Sequence, residues 1–205
     1  ADITLTTRED EPLTFTAADF GFSDANDNPD PHNLQSVIIT TVPAIGTFEL
    51  AAGASAPGIV TAGQVISAAD IPFLTFTPVA NEHGASYADF TFQVVDDGGT
   101  ANGGVDTDPV ANTITFDVDP INSEPTGADN TVTTNEDTAY TFAAADFGFS
   151  DVNDSPANAL MSVIITAIPT NGTLTLNGVA VTNGQEIAAA DINSNLLVFT
   201  PAANA

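Results

Sequence analysis

With 205 residues, 43% of them hydrophobic, the chain has apolar material for one large domain or two of ordinary size, and too much for a disordered acidic tail. One Lys or Arg stands against 27 Asp and Glu, a formal net charge of −26; such a surface repels phosphate, so neither nucleic acid nor anionic lipid is expected as a partner. Cysteine is absent, which excludes disulfides and thiolate metal sites, and no apolar run approaches membrane-spanning length, so no membrane insertion is expected.

The chain opens at Ala1 without Met and without a basic signal segment, and reads as a piece of something longer. TREDEPLTFTAADFGFSD (Thr7 to Asp24) leads into an acidic loop, DANDNPDPHNL (Asp24 to Leu34). Val37-Ile38-Ile39 follows as a continuous apolar run, the pattern of a strand covered on both faces. Further on, Phe90, Phe92 and Val94 alternate with Thr91, Gln93 and Val95 up to a turn at Asp97-Gly98. Ile114, Phe116 and Val118 then alternate with Thr113, Thr115 and Asp117. Both stretches have the period of two that marks strands.

After the linker DPINSEP (Asp119 to Pro125) the text repeats. TNEDTAYTFAAADFGFSD (Thr134 to Asp151) aligns with the opening segment and puts Glu136 on Glu9. A second acidic loop, DVNDSPANAL (Asp151 to Leu160), and a second run, Val163-Ile164-Ile165, follow in order. Asn-Gly turns at Asn171, Asn177 and Asn183 punctuate the rest. The counterpart of Glu82 to about Pro125 has no match before Ala205, so the second copy is expected to lack its last two strands. A fragment, or completion by strands from a neighbouring chain, would account for that. The expected architecture is all-β: tandem immunoglobulin/cadherin-like β-sandwich domains over residues 1–125 and 126–205, the second incomplete.

Crowded Asp and Asn oxygens repel one another unless a cation sits among them, and calcium takes six to eight such hard oxygens. The loops are not EF-hands: counting from Asp151, the sixth position is Pro156 and the twelfth Ser162, and the loop at Asp24 has Pro29 and Gln35 there. Gly103-Gly104-Val105-Asp106 does not have the spacing of a nonapeptide calcium repeat. The alternative is that these loops only cap their own backbone amides, as Asp and Asn do in turns. Asp19, Asp70, Asp146 and Asp191 are assigned to that role. Duplication in register, scarcity of cations and placement beside a linker favour calcium for the two loops.

The order Asn-Glu-Asp, then FGFSDxNDSPANAL, then DDGGTANGG, then NTITFDV resembles the cadherin-like tandem repeats of large bacterial surface proteins and adhesins, over nearly the whole chain. The resemblance implies calcium at the junction of successive domains. Carried over, Glu9, Asp119, Asn122, Asp151, Asn153 and Asn158 form one site. Asp24, Asn26, Asn33 and Asp97 form half of an equivalent site facing a preceding domain, and Glu136 repeats the role of Glu9. Two departures weaken the binding expected: the linker has one extra residue between Asp119 and Asn122, and Ser123 stands where an Asp is usual.

The function this implies is a calcium-stiffened spacer on the outside of a bacterial cell, with adjacent repeats of the same chain as partners. A carbohydrate-binding module is one alternative, with surface glycans as partners. It would need exposed aromatic platforms, and the chain has no Trp and only Tyr87 and Tyr140. Homotypic adhesion to like repeats on other cells is another. An enzyme is not expected: there is no Cys, and the two histidines, His32 in the acidic loop and His83 in a turn, both read as solvated.

Overall fold

Alternating side chains bury one face of a strand, and in the computed structural model of the chain, which describes residues 2–24 and 31–203, the regular elements are mostly such strands. Two units form, Ala1–Ile121 and Asn122–Ala205. Residues 122–125, read from sequence as the end of the first repeat, group with the second unit.

The first unit contains β1 (Ile3–Arg8), β2 (Leu13–Thr14), β3 (Leu34–Ile39), β4 (Thr47–Leu50), β5 (Gly58–Ile59), β6 (Val65–Ser67), β7 (Leu74–Thr77), β8 (Gly84–Asp96) and β9 (Asn112–Asp119). One sheet has the order β1-β9-β8-β3-β6, the other β2-β7-β4-β5. All neighbours are antiparallel except β1 and β9, which run parallel from Ile3↔Ile114 to Arg8↔Asp119. The inward residues of both sheets join in one apolar cluster. Phe76 of β7 stacks on Phe116 of β9, centroids 3.9 Å apart, and Phe48 of β4 packs on Phe90 of β8 at 4.8 Å, so ring pairs join the two sheets. Phe15 meets Phe48, Phe90 and Phe116 edge-on at 5.9, 5.8 and 6.0 Å, the tilted geometry that ring quadrupoles favour.

The second unit contains β10 (Tyr140–Thr141), β11 (Ser162–Ile165), β12 (Gly172–Leu176), β13 (Val179–Ala180), β14 (Gln185–Ala188), one short helix α1 (Ala189–Asn193) and β15 (Leu197–Pro201). Its sheet β10-β15-β12-β13 repeats β2-β7-β4-β5, and its pair β11-β14 repeats β3-β6. Among the described residues nothing takes the places of β8 and β9, and residues 130–135, the sequence equivalents of β1, are not in a strand. The two apolar runs diverge for that reason. Val37 and Ile39 are fully buried, whereas their equivalents Val163 and Ile165 are only half-buried; between them Ile38 is half-buried and its equivalent Ile164 is 64% exposed.

The AADF segments form 3-10 turns, Ala17–Phe20 and Ala144–Phe147. In each, the Asp side chain accepts the N–H of the residue before the turn: Asp19 from Thr16 at 2.7 Å and Asp146 from Ala143 at 2.8 Å. Asp70 ties a loop to a strand end. Its carboxylate accepts the Ser55 N–H at 2.8 Å and the Ser67 hydroxyl at 2.8 Å. These bonds, the Ser55 amide first, hold its carboxyl below the ordinary 3.8. Glycine is required at the start of β4 and β12. A Cβ on Gly46 would lie 2.7 Å from the Phe76 ring, and one on Gly172 would lie 2.5 Å from that of Phe199.

Phe116→Ala should destabilise the first unit by about 3–5 kcal/mol in urea unfolding, because both its ring contacts and its core volume are lost. Asp70 has a folded-state value below its unfolded one. Its contribution is therefore complete above about pH 4 and lost as pH falls through the lowered value. The gap in melting temperature between the chain and Asp70→Asn should be widest near neutral pH and close on acidification.

Candidate metal centre

Buried carboxylates without cationic side chains must find backbone amides, hydroxyls or an ion. Glu9 follows β1 and is fully buried. The parallel pairing of β1 with β9 continues through it: its N–H donates to the Asp119 carbonyl at 2.9 Å. Its Oε1 accepts the N–H of Ile121 at 2.7 Å, and its Oε2 lies 3.1 Å from Nδ1 of His83. A carboxylate cannot donate, so Glu9 accepts this hydrogen bond from the N–H at Nδ1. His83, read from sequence as a solvated turn residue, is instead turned inward onto this acid, its side chain 21% exposed. The carboxylate of Asp119 sits on an exposed residue at the end of β9.

The other end of the same sheet carries Asp24, Asn33 and Asp97. Asp24 Oδ2 accepts the His32 N–H at 2.7 Å, and Asp97 Oδ1 accepts the Asn33 N–H at 2.7 Å. The Asn33 side-chain amide reaches Asp97 Oδ2 at 3.3 Å, and His32 Nδ1 lies 3.5 Å from Asp97 Oδ1. The Asn33 amides are the main reason the Asp97 carboxyl lies below its ordinary value. Asn26 lies outside the described residues.

The second unit brings more of the expected set together. Thr126 and Ser150 exchange two backbone bonds of 2.8 Å, which lays the segment after Asn122 against the start of the acidic loop. Asp151 is 7% exposed, and its Oδ2 accepts the Asn158 N–H at 2.6 Å. The Asn158 side-chain amide donates to Asn122 Oδ1 at 3.0 Å and also to Asp154 Oδ2. Asp154 Oδ1 accepts the Ser123 N–H at 2.7 Å. Asp154, at 9% exposure, is thus an inward-facing acid of the loop, while Asn153, the residue expected from the Asp-x-Asn spacing, is exposed. The bonding also gives an equivalence the alignment did not: Asn158 stands where the first copy has His32, since each N–H closes its loop onto the leading Asp.

Among the described residues, no three or more Asp, Glu, His or Cys side chains are grouped so as to hold a metal by themselves. What the second unit does hold is an orphan: Oδ1 of Asp151 is buried and has no hydrogen-bond partner. A buried carboxylate oxygen left bare is costly, and a second buried acid, Asp154, lies three residues away. The donors available are all oxygens, from Asp151, Asp154 and Asn122. That set fits a hard cation of the calcium or magnesium type, and not zinc or copper.

Tyr87 and Tyr140 are half-buried with engaged hydroxyls, Tyr87 donating to Glu82 at 2.8 Å and Tyr140 to Asp146 at 2.9 Å. Comparison with family models, with curated proteins and with solved structures finds no match to this chain.

His83→Ala strips one oxygen of the fully buried Glu9 of its partner. The first unit should lose about 1–3 kcal/mol in urea unfolding, the cost of an unsatisfied buried acceptor.

Proposed function

We propose that this chain is a pair of cadherin-like β-sandwich repeats from a large bacterial surface protein, acting as a spacer stiffened by calcium. The observation that carries the reading is the buried, unpartnered Oδ1 of Asp151 beside Asp154 in a chain with a net charge of −26. Two sheets closing on one aromatic core in the first unit, and the same strand order in the second, support the sandwich class. In this reading Asp151 binds the ion through its bare oxygen, with Asp154 and Asn122 as further oxygen ligands. Glu9, Asp119, Asn153 and Asn158 are assigned to calcium by the resemblance to cadherin-like repeats. The same holds for Asp24, Asn33 and Asp97 toward a preceding domain. The ion supplies two positive charges where the loop otherwise holds only negative ones.

Calorimetric titration with calcium, run beside thermal melting, tests this. A binding isotherm is expected, with a melting temperature that climbs as calcium is raised; saturation to about 100 times Kd stabilises a folded form by about 2.7 kcal/mol. Asp151→Asn should weaken binding by about tenfold or more, because affinity follows the number of charged ligands. Small-angle scattering should show a longer particle with calcium than with EDTA. A flat titration together with an unmoved melting curve would overturn the assignment.

A further inference from the structure

Asp151 and Asp154 are both buried in the second acidic loop, and the chain's single Lys or Arg, Arg8, belongs to the other unit. What stands among their oxygens is one neutral nitrogen. The side-chain amide of Asn158 directs one hydrogen to Asn122 Oδ1 at 3.0 Å and the other to Asp154 Oδ2. The backbone N–H of the same residue holds Asp151 through Oδ2 at 2.6 Å. An amide has two hydrogens and no more, and Asp151 Oδ1 is left buried and bare.

That nitrogen and a metal ion exclude each other. Calcium meets its oxygens at about 2.3–2.6 Å, close to the reach of Nδ2 to its two acceptors. An ion bridging Asn122 and Asp154 would therefore take the place that Nδ2 holds. The N–H hydrogens also engage the same oxygens that the ion needs. Rotation about the two side-chain torsions of Asn158 resolves the conflict. Nδ2 withdraws and Oδ1 turns toward the ion, while the backbone bond to Asp151 stays. One side chain then presents an acceptor where it had presented two donors.

We infer, resting on the reading of this loop as a calcium site, that Asn158 is its latch: the amide fills the site in the ion-free protein, and calcium enters only as the amide swings out and offers its oxygen. Without the ion, the amide satisfies one oxygen of Asp154 and ties the loop to Asn122. With it, Asn122, Asp151, Asp154 and Asn158 each give an oxygen, and water completes the six to eight that calcium takes. Two hydrogen bonds are lost for each ion bound, so the latch lowers the affinity and sets how much calcium loads the loop.

The test compares the 205-residue chain in EDTA and in saturating calcium. By NMR, scalar couplings across the hydrogen bonds, from Asn158 Nδ2 to the side-chain carbonyl carbons of Asn122 and Asp154, are expected in EDTA and lost with calcium. Asn158→Asp keeps the shape and an oxygen but has no hydrogens to fill the site. It should bind calcium about tenfold more tightly or better in calorimetry, because affinity follows the number of charged ligands. Ala157→Asp adds the same charge one residue away, at an exposed position, and should tighten binding far less. Couplings absent already in EDTA, or persisting in saturating calcium, overturn the latch and leave the calcium reading standing. So does an Asn158→Asp variant that binds no better than Ala157→Asp. Flat titrations in the parent and in both variants remove the calcium reading itself, and the latch with it. The NMR comparison needs no variant, so it decides even if Asn158→Asp fails to fold without calcium.

Discussion

A chain with 27 acids and one Lys or Arg cannot neutralise its carboxylates with side chains, so it turns them onto its own backbone amides. Asp2 takes the N–H of Thr113, Asp10 that of Asn81, Asp24 that of His32, Asp97 that of Asn33 and Asp117 that of Ser86. Glu9 does the same with Ile121, Asp151 with Asn158 and Asp154 with Ser123. Most of these bonds cross from one loop or strand to another, so the carboxylates act as clasps between segments that no salt bridge could join. Hydrogen bonds to ionised acceptors are stronger than neutral ones. They do not, however, remove the mutual repulsion of the acids, which grows wherever two of them are buried together. Asp151 and Asp154 are two buried acids of one loop.

The core works by a different force, and its strength differs between the two copies. In the first, Phe76 on Phe116 and the rings around Phe15 close two sheets on each other, which excludes water from seven phenylalanines. In the second, the same turns and hairpins fold to the same strand order around Leu174, Ile187, Ile192 and Leu197, with Phe142, Phe147 and Phe199 only partly covered. Glycines at equivalent places, Gly46 and Gly172, let the backbone approach an equivalent ring in each. Among the described residues, no strand takes in the second unit the flank that β8 and β9 occupy in the first, and its core is correspondingly less covered.

Much of this could be read before any coordinates. The alternation named Phe90, Phe92, Ile114, Phe116 and Val118 as buried, though at the end of β8 Val95 is buried rather than Val94, and the AADF turns with their capping Asp followed from local chemistry. The acidic loops stood out because Asp and Asn recur there in both copies. Two members of the candidate site were hidden. Asp154 was passed over for Asn153 because a spacing pattern does not say which of two adjacent polar residues the loop turns inward. His83 carried no signal at all, since its meeting with Glu9 is made by β8, β9 and β1 lying side by side although they are distant along the chain.

Glu9 and Glu136 separate what the sequence determines from what it leaves to the fold. By itself it determined the repeated elements: which residues alternate, where the turns fall, and that Thr7-x-x-x-Glu11 and Thr134-x-x-x-Thr138 each close the same hydroxyl-to-carbonyl turn. Those are contacts within a few residues, and identical local text gives identical local structure. Only the tertiary structure decided that Glu9 is fully buried with both oxygens bonded while Glu136 is exposed. A strand needs a neighbour to satisfy its backbone, and β1 has β9 beside it. Residues 130–135 have no such partner among the described residues, so the same motif ends in a loop.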